Sequence, residues 1–266
     1  MASFYPGAPM ALVLSTINDE GIATLTLNDE SNLNAMSEEM AIEFSAAVAA
    51  LAQSGKAKVV VITGAGKAFS AGGHLEMLDA KRSRTREENR SGMLSFYRSF
   101  LGILDLGVPL IAALNGAAVG AGLCVACACD IRIASKEAKL GFTFLKLGLH
   151  PGMGATFLVP RIIGRSAATE LLMTGRIINA QESLRFGLVS RIAESGSALE
   201  EAYTVAREML ACGPEARTQL LQTLRSDYAA LPATLEREAE CQSINYNSAE
   251  FAEGIAALRE KRGARF

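Results

Sequence analysis

The fold is decided by residues 59–77, VVVITGAGKAFSAGGHLEM, and by residues 110–124, LIAALNGAAVGAGLC. In each stretch a short apolar strand runs into a glycine-rich turn and then into a helix. Glycine and alanine let a ligand approach the main chain closely, and the first turn of a helix offers unpaired N–H groups at the positive end of its dipole. If the two turns converge, two N–H groups can stabilise one developing oxyanion.

These glycines do not match the glycine-rich motifs of dinucleotide-binding, P-loop or serine-nucleophile sites. The Gly-Ala-Gly segments at residues 64–66 and 120–122 lack the third glycine of a dinucleotide fingerprint, and no glycine stands five residues before Gly66 as a P-loop requires. Ser70 is not in a Gly-x-Ser-x-Gly elbow, and no cysteine neighbours a histidine, so a covalent acyl-enzyme lacks local support. A backbone anion site and purely structural turns remain as the two interpretations.

Outward from these stretches, short apolar runs predict buried strands, and helical periodicity predicts a first helix that is capped by Ser37 and ends at Gly55. The predicted strands are residues 11–17, 22–27, 59–63, 110–114 and 131–134, and the further predicted helices are residues 166–173, 198–212, 214–224, 234–246 and 249–262. Strands dominate the first half and helices the second. We therefore predict one α/β domain of strand–turn–helix units with a C-terminal helical region that packs on a neighbouring subunit.

The composition is that of a globular protein with a large core. Half of the 266 residues are hydrophobic, and 26 basic against 28 acidic side chains give a net charge of −2, which argues against nucleic acid as a partner. The longest apolar stretch, residues 117–129, is too short to span a bilayer, and residues 1–10 lack the charged and apolar regions of an export signal. We expect a cytoplasmic protein with no membrane contact.

The cysteines predict no metal site. Cys124, Cys127 and Cys129 stand among alanine and valine with no histidine nearby, and the total of five is odd. Such residues are typical of small core side chains in a reducing compartment.

A basic stretch between residues 81 and 90 has two interpretations. Glu87 and Glu88 interrupt its cations, which are Lys81, Arg82, Arg84, Arg86 and Arg90. A solvated loop face is one interpretation, and a cavity mouth that attracts an anionic ligand is the other.

Four segments carry a resemblance to a known family: residues 61–77, 109–123, 129–134 and 175–189. Over nearly its whole length the sequence resembles the crotonase superfamily, also called the enoyl-CoA hydratase/isomerase family. The resemblance implies a β-β-α spiral core over residues 1–199 and a C-terminal helical trimerisation region over residues 200–266. It also implies a homotrimer or a dimer of trimers that binds an acyl-CoA thioester, with coenzyme A as part of the substrate and no separate cofactor.

By this resemblance the oxyanion-hole amides fall on Gly73 and Ala121, and they would stabilise a thioester enolate. The two glutamates of a hydratase fall on Cys124 and Phe144, neither of which can replace a carboxylate in proton transfer. A further carboxylate of dienoyl isomerases falls on Gly152. The resemblance thus implies an acyl-CoA enzyme that is not a standard two-glutamate hydratase.

The two histidines are the remaining candidates for an acid or base. His74 follows the first oxyanion residue, and His150 stands in a rigid loop before Pro151 that borders the acyl pocket in the family. For His74 the alternative is a residue that makes a local hydrogen bond at a helix start, and for His150 it is a residue that fixes its loop.

Binding of coenzyme A is implied only by weaker matches. The main chain around residues 68–71 would hold adenine and pantetheine, and exposed lysines would meet the phosphates. The implied binding residues are Ala35, Met36, Lys67, Ala68, Ser70, Ala71, Gly120 and Lys261. Each of the basic residues has an ordinary surface position as its alternative.

The sequence therefore predicts a lyase or isomerase that acts on an acyl-CoA thioester. A histidine-assisted isomerase, decarboxylase or hydrolase of C–C or thioester bonds is one alternative. A catalytically silent subunit that binds acyl-CoA is another, because the acid–base pair is missing.

Overall fold

Two β-sheets and the helices packed on them make up the computed structural model, which describes residues 11–266. The expectation about an export signal in residues 1–10 lies outside the described residues. The strands are β1 Val13–Ile17, β2 Ile22–Leu27, β3 Val59–Gly64, β4 Ala68–Ser70, β5 Leu110–Leu114, β6 Ala117–Val119, β7 Ile131–Ser135, β8 Lys139–Gly141, β9 Ile177–Asn179 and β10 Arg191–Ala193. The α-helices are α1 Glu38–Ser54, α2 Leu75–Ala80, α3 Arg86–Leu101, α4 Ala121–Ala128, α5 Ala155–Thr174, α6 Ala180–Arg185, α7 Ala198–Leu210, α8 Pro214–Leu224, α9 Leu231–Asn245 and α10 Ala249–Arg259.

The sheets are built from repeated β-β-α units. The larger sheet has the order β1-β2-β3-β5-β7-β10 and the smaller sheet the order β4-β6-β8-β9. Strands β3, β5 and β7 of the larger sheet are each followed by a short strand of the smaller one, and then by α2, by α4 or by a 3₁₀ helix at Thr143–Leu147. The predicted α/β spiral is confirmed.

The two glycine-rich turns differ from the prediction in one respect. Each contains a three-residue strand, β4 or β6, and the two strands pair in parallel. Runs of three residues are too short to show a periodicity of two, so the sequence predicted only turns here. The pairing of β4 with β6 holds the two turns side by side.

The run of apolar residues in β3 is explained by burial of the strand on both faces. Successive side chains of a strand point to opposite faces. Val60 and Ile62 belong to the larger core cluster, which includes side chains of α1, whereas Val59 and Val61 pack in a second cluster with side chains of α7. Both faces are covered, and the helical region that begins near residue 200 shares a core with the larger sheet.

Local signals placed some helix ends correctly and others not. Ser37 caps α1 by accepting a hydrogen bond from Met40 N at 3.1 Å, and Gly55 ends this helix with φ 60°, as predicted. Helix α5 begins eleven residues before the predicted start at 166. The left-handed conformation of Gly164 interrupts its pattern, and the helical periodicity is therefore clear only in the second part.

The basic stretch lies on a largely solvent-exposed face, as one of the two interpretations predicts, but it is mostly helical instead of a loop. Thr85 and Glu88 form a capping box that starts α3. Lys81 is 1% exposed and lies 3.5 Å from Glu38. The arginines bind carboxylates, with the pairs Arg82–Asp79, Arg84–Glu38, Arg86–Glu240 and Arg90–Glu236. These ion pairs neutralise the cations.

The C-terminal helical region is tied to the sheets by an ion pair. Arg225 donates to both carboxylate oxygens of Asp130, at 2.6 and 3.0 Å, at the start of β7.

Two large apolar side chains of α8 are exposed to solvent: Leu220 is 57% exposed and Leu224 is 68% exposed. None of the helices described for residues 11–266 combines the length and apolar character needed to cross a bilayer. Trimerisation of this region stays a prediction.

Candidate active site

A cavity of about 660 Å³ opens where the two glycine-rich turns meet, and we call it the central cavity. It is lined by residues 71–73 and 119–121, by the 3₁₀ helix Thr143–Leu147, by side chains of α3, α9 and α10, and by the segment after α10. Most of these lining groups are apolar. The cavity is thus suited to a largely apolar ligand that is oriented by a few polar groups.

Two residues that line this cavity have backbone N–H groups without an acceptor among residues 11–266. Met36 N donates to Gly72 O at 2.7 Å and His74 N donates to Met36 O at 3.0 Å, which leaves the N–H of Gly73 between them unpaired within residues 11–266. Ala121 is the first residue of α4, so its N–H has no partner inside the helix. The positive end of the α4 dipole adds to the attraction for an anion.

Two glycines allow the turns to come this close. A Cβ on Gly72 would lie 2.8 Å from Val119 O and 3.6 Å from Ala121 N, and the φ of Gly72 is +93°. Gly120 has φ 52° and ψ −123°, which side chains rarely tolerate, and its N–H donates to Gly141 O at 2.8 Å. The amides of Gly73 and Ala121 are therefore held in place by main-chain geometry.

Amide and hydroxyl side chains that are buried or half-buried brace the first turn. Ser70 Oγ donates to Asn34 O at 2.8 Å and accepts from Gly72 N at 3.2 Å. Asn34 donates to Ala68 O, and Asn115 accepts from Gly64 N at 3.2 Å. The bracing role of Asn34 and Asn115 was not predicted from the sequence. Asn115 follows β5 directly, and a polar residue at the end of a buried strand is the only signal that pointed to it.

The two positions that the resemblance assigns to the hydratase glutamates carry no carboxylate. Cys124 is 0% exposed and does not line the central cavity, and burial raises the pKa of its thiol well above the ordinary value. Phe144 does line the cavity. A Cβ on Gly152 would lie 2.4 Å from Tyr97 Oη and 2.7 Å from Gln242 Nε2, so this position has no room for a carboxylate. None of the described lining residues is an aspartate or a glutamate.

Tyr97, Gln242 and Tyr246 occupy this part of the cavity wall as one hydrogen-bonded cluster. Gln242 Nε2 donates to His150 O at 2.8 Å, and this fixes the orientation of the amide because a carbonyl can only accept. Gln242 Oε1 then accepts from Tyr97 Oη at 2.7 Å and from Tyr246 Oη at 3.0 Å. Burial raises the pKa of Tyr97 well above its ordinary value, so the phenol stays neutral. The sequence held no signal for this cluster.

Neither histidine lines the central cavity among the described residues. His150 Nδ1 lies 2.7 Å from Pro151 O, and burial lowers the pKa of its half-buried imidazole. His74 lies 3.2 Å from Glu76 in a separate hollow of about 500 Å³, which shares Met77 with the central cavity. Their predicted acid–base role remains untested, and in this arrangement each ring makes a local contact instead.

The implied coenzyme A residues are dispersed. Ala71 and Gly120 line the central cavity, whereas the other six do not. Ala35, Met36, Ala68 and Ser70 are buried, and Lys67 and Lys261 are exposed. No group of three or more His, Cys, Asp or Glu side chains in the described part of the chain could hold a metal ion.

Comparison with known proteins places the chain among relatives of the same length. The family model Enoyl-CoA hydratase/isomerase matches residues 18–266. A Thermus thermophilus protein whose name includes enoyl-CoA hydratase is 37% identical over 250 residues, covering 92% of this chain and 97% of that protein. The mitochondrial methylglutaconyl-CoA hydratase of Mus musculus is 34% identical over 255 residues, covering 93% and 80%. The crystal structure of an enoyl-CoA hydratase from Mycobacterium avium subsp. paratuberculosis has a TM-score of 0.84 at 28% identity, covering 97% and 99%.

Proposed function

Since this chain belongs to the enoyl-CoA hydratase/isomerase family, we propose that it is an enzyme that binds an acyl-CoA thioester and stabilises the enolate of its acyl group. The observation that carries this proposal is the pair of unpaired N–H groups, Gly73 and Ala121, at one apolar cavity. Negative charge develops on the thioester oxygen when an enolate forms. One fixed donor at such an oxygen contributes about 10²–10³-fold to the rate.

The reaction that we propose is a lyase or isomerase reaction other than standard two-glutamate hydration. The support is the absence of any carboxylate among the described lining residues, with Phe144 in the second glutamate position. Each missing general acid or base costs about 10²–10⁴-fold in rate. We therefore expect hydration of crotonyl-CoA to be very slow. Hydration at rates typical of efficient enzymes, in a sample free of host hydratase, would contradict this part of the proposal.

A silent acyl-CoA-binding subunit is the second candidate. It is favoured by the lack of a carboxylate or histidine among the described lining residues. The histidine-assisted reaction has less support, because His74 and His150 lie outside the central cavity. Turnover of any enoyl, β-keto, malonyl-type or branched thioester would exclude the silent subunit.

The assembly and location belong to the same proposal. The exposed leucines Leu220 and Leu224 of α8 support a homotrimer or a dimer of trimers, since large apolar side chains on one exposed helix favour a protein partner. The free cysteines of the described residues support a reducing, cytoplasmic compartment.

One substitution removes an oxyanion donor without removing a side chain. Ala121 is the first residue of α4, where proline is tolerated, and Ala121→Pro replaces that N–H with a methylene group of the proline ring. Ala249→Pro is the matched control, because Ala249 holds the same position in α10 and does not line the cavity. The measurement is the infrared carbonyl frequency of a bound ¹³C-labelled butyryl-CoA thioester.

For the wild type and the control we expect binding by calorimetry and a shift of the carbonyl band to lower frequency. For Ala121→Pro we expect that shift to be mostly lost. If folded wild-type protein binds no acyl-CoA, the proposal fails. If Ala121→Pro keeps the full shift, the carbonyl oxygen lies elsewhere.

A further inference from the structure

The polar side chains of the central cavity divide into satisfied and unsatisfied groups. Tyr97, Tyr246 and Gln242 satisfy one another, and Arg262 is paired with Glu253 and Glu260. Two lining side chains are left, the Thr143 hydroxyl and the Lys146 ammonium. Neither makes a hydrogen bond or ion pair with any side chain or carbonyl of residues 11–266.

Thr143 and Lys146 lie on one face of the 3₁₀ helix Thr143–Leu147. With three residues per turn, side chains three positions apart are eclipsed. Thr143 Oγ1 lies 4.0 Å from the position that a Cβ on Gly120 would take, so the hydroxyl lies beside the residue that precedes the Ala121 amide. Lys146 follows one turn later, about 6 Å along the helix axis.

The stem of Lys146 rests on a glycine. A Cβ on Gly175 would lie 3.3 Å from Lys146 Cγ and 3.5 Å from Cε, and Gly175 ends α5 with φ 57°. The neighbouring chain thus fixes the path of the lysine stem. Its ammonium remains available to a ligand.

No carboxylate within residues 11–266 forms an ion pair with Lys146. Arg176, which follows the glycine under the lysine stem, is paired with Glu170 and Glu182, whereas Lys139 is exposed at the start of β8 with no carboxylate partner among the described residues. No carboxylate lines the described cavity, so Lys146 gives it a positive potential. Lys146 is exposed, so water and salt partly screen its attraction for an anion that enters the cavity.

We propose that Lys146 binds a carboxylate carried by the acyl group, with the Thr143 hydroxyl as a second donor, so that the preferred ligands are CoA thioesters of dicarboxylic acids. This inference rests on the proposed function. The phosphates of coenzyme A are the other anions of the ligand, but the whole pantetheine arm separates them from the thioester. An ammonium one helical turn from the oxyanion site is placed for the acyl group.

The test compares succinyl-CoA with butyryl-CoA, which have four-carbon acyl groups that end in a carboxylate or a methyl group. For the wild type we expect succinyl-CoA to bind about tenfold more tightly, as one charge-assisted hydrogen bond allows, and the preference to fall at high salt. Lys146→Met should abolish the preference and leave butyryl-CoA unchanged. Thr143→Val should reduce it by a smaller factor.

Lys139→Met is the matched control, because Lys139 is exposed at the start of β8 and does not line the cavity. It should keep the wild-type preference. Equal binding of both thioesters by the wild type overturns the inference and leaves the proposed function intact. Equal weakening of both thioesters by Lys146→Met means that the lysine meets coenzyme A, which also overturns it. If neither thioester binds folded protein, the proposed function itself fails.

Discussion

The two walls of the central cavity differ in what holds their chemistry. The backbone wall consists of Gly73 and Ala121, whose working groups are main-chain amides. The side-chain wall is defined by position 144, which lines the cavity, and by positions 124 and 152, which do not. The resemblance places the carboxylates of related enzymes at these positions, where this chain has phenylalanine, cysteine and glycine. Main-chain amides depend on the path of the chain, whereas proton transfer depends on residue identity. One wall can therefore persist while the other changes.

Packing around the side-chain wall makes the change difficult to reverse. The Tyr97 hydroxyl and the Gln242 amide fill the space next to Gly152, and Cys124 is buried inside α4. A carboxylate restored at these positions would lose water without gaining a ready donor. We therefore expect substitutions in the side-chain wall to change mainly stability, and substitutions in the backbone wall to change mainly turnover and the carbonyl shift of a bound thioester.

Cys124→Glu tests the side-chain wall and has the largest expected effect. We expect the free energy of unfolding at pH 8 to fall by about 3–5 kcal/mol, because an unpaired carboxylate would be buried near Glu238. Burial raises the folded-state pKa above the unfolded value of about 4.3, so the stability loss grows as the pH rises through this window. Denaturant unfolding at pH 5 and pH 8 measures both effects.

Cys124→Gln is the matched control for Cys124→Glu, since it adds the same volume without a charge. Its loss of stability should be similar at the two pH values. A Cys124→Glu protein that is as stable as the wild type at pH 8 would show that this wall still accepts a carboxylate.

Gly72→Ala tests the backbone wall. The new Cβ would lie 2.8 Å from Val119 O, so the two turns must separate and the amides of Gly73 and Ala121 no longer converge. We expect turnover of a confirmed substrate to fall by about 10²–10³-fold, the effect of losing one oxyanion donor. The carbonyl shift of bound butyryl-CoA should fall in parallel.

Gly187→Ala is the matched control, because it introduces the backbone strain of a positive φ without a steric clash of the new Cβ. Gly187 has φ 75° with nothing within 4 Å of its virtual Cβ, so this variant carries backbone strain alone. It should lose some stability and keep the carbonyl shift. If Gly72→Ala also keeps the shift, convergence of the turns does not create the oxyanion site.

Tyr97→Phe asks whether the cluster at the side-chain wall is structural. The substitution removes the 2.7 Å hydrogen bond to Gln242 Oε1 in a fully buried place. We expect the free energy of unfolding to fall by about 1–2 kcal/mol, with acyl-CoA affinity changed less than threefold. Tyr228→Phe is the control, because the half-buried hydroxyl of Tyr228 has no hydrogen-bond partner within residues 11–266. A loss of turnover without a loss of stability would instead give Tyr97 a catalytic role.

The sequence predicted the features that depend on near neighbours. The apolar runs of β3 and β5 and the Ser37 cap of α1 were placed correctly, since each is decided within a few residues. Helix α3 was not predicted, although Thr85 and Glu88 form a capping box whose Thr-x-x-Glu pattern is visible in the sequence.

The side-chain wall shows what the sequence could not give. Motif matching identified Cys124 and Phe144, but Gln242 reaches Tyr97 across 145 positions of the chain. Only the three-dimensional arrangement shows that Tyr97 and Gln242 fill the space next to Gly152. The same holds for His150, whose position outside the central cavity depends on how α9 packs against its loop.

His150→Gln has the smallest expected effect and sharpens the comparison between the walls. Since His150 does not line the cavity, we expect acyl-CoA affinity and any confirmed turnover to change less than twofold, as for His74→Gln. Burial lowers the folded-state pKa of His150 below 6.5, so the unfolded state binds more protons as the pH falls through 6.5, and the wild type loses stability there. His150→Gln lacks this loss. Its unfolding free energy, relative to that of the wild type, should therefore rise as the pH falls from 7 to 5. A fall in turnover of about 10²-fold for His150→Gln, with binding kept, would instead assign this histidine the general-base role and place the missing acid–base chemistry outside both walls.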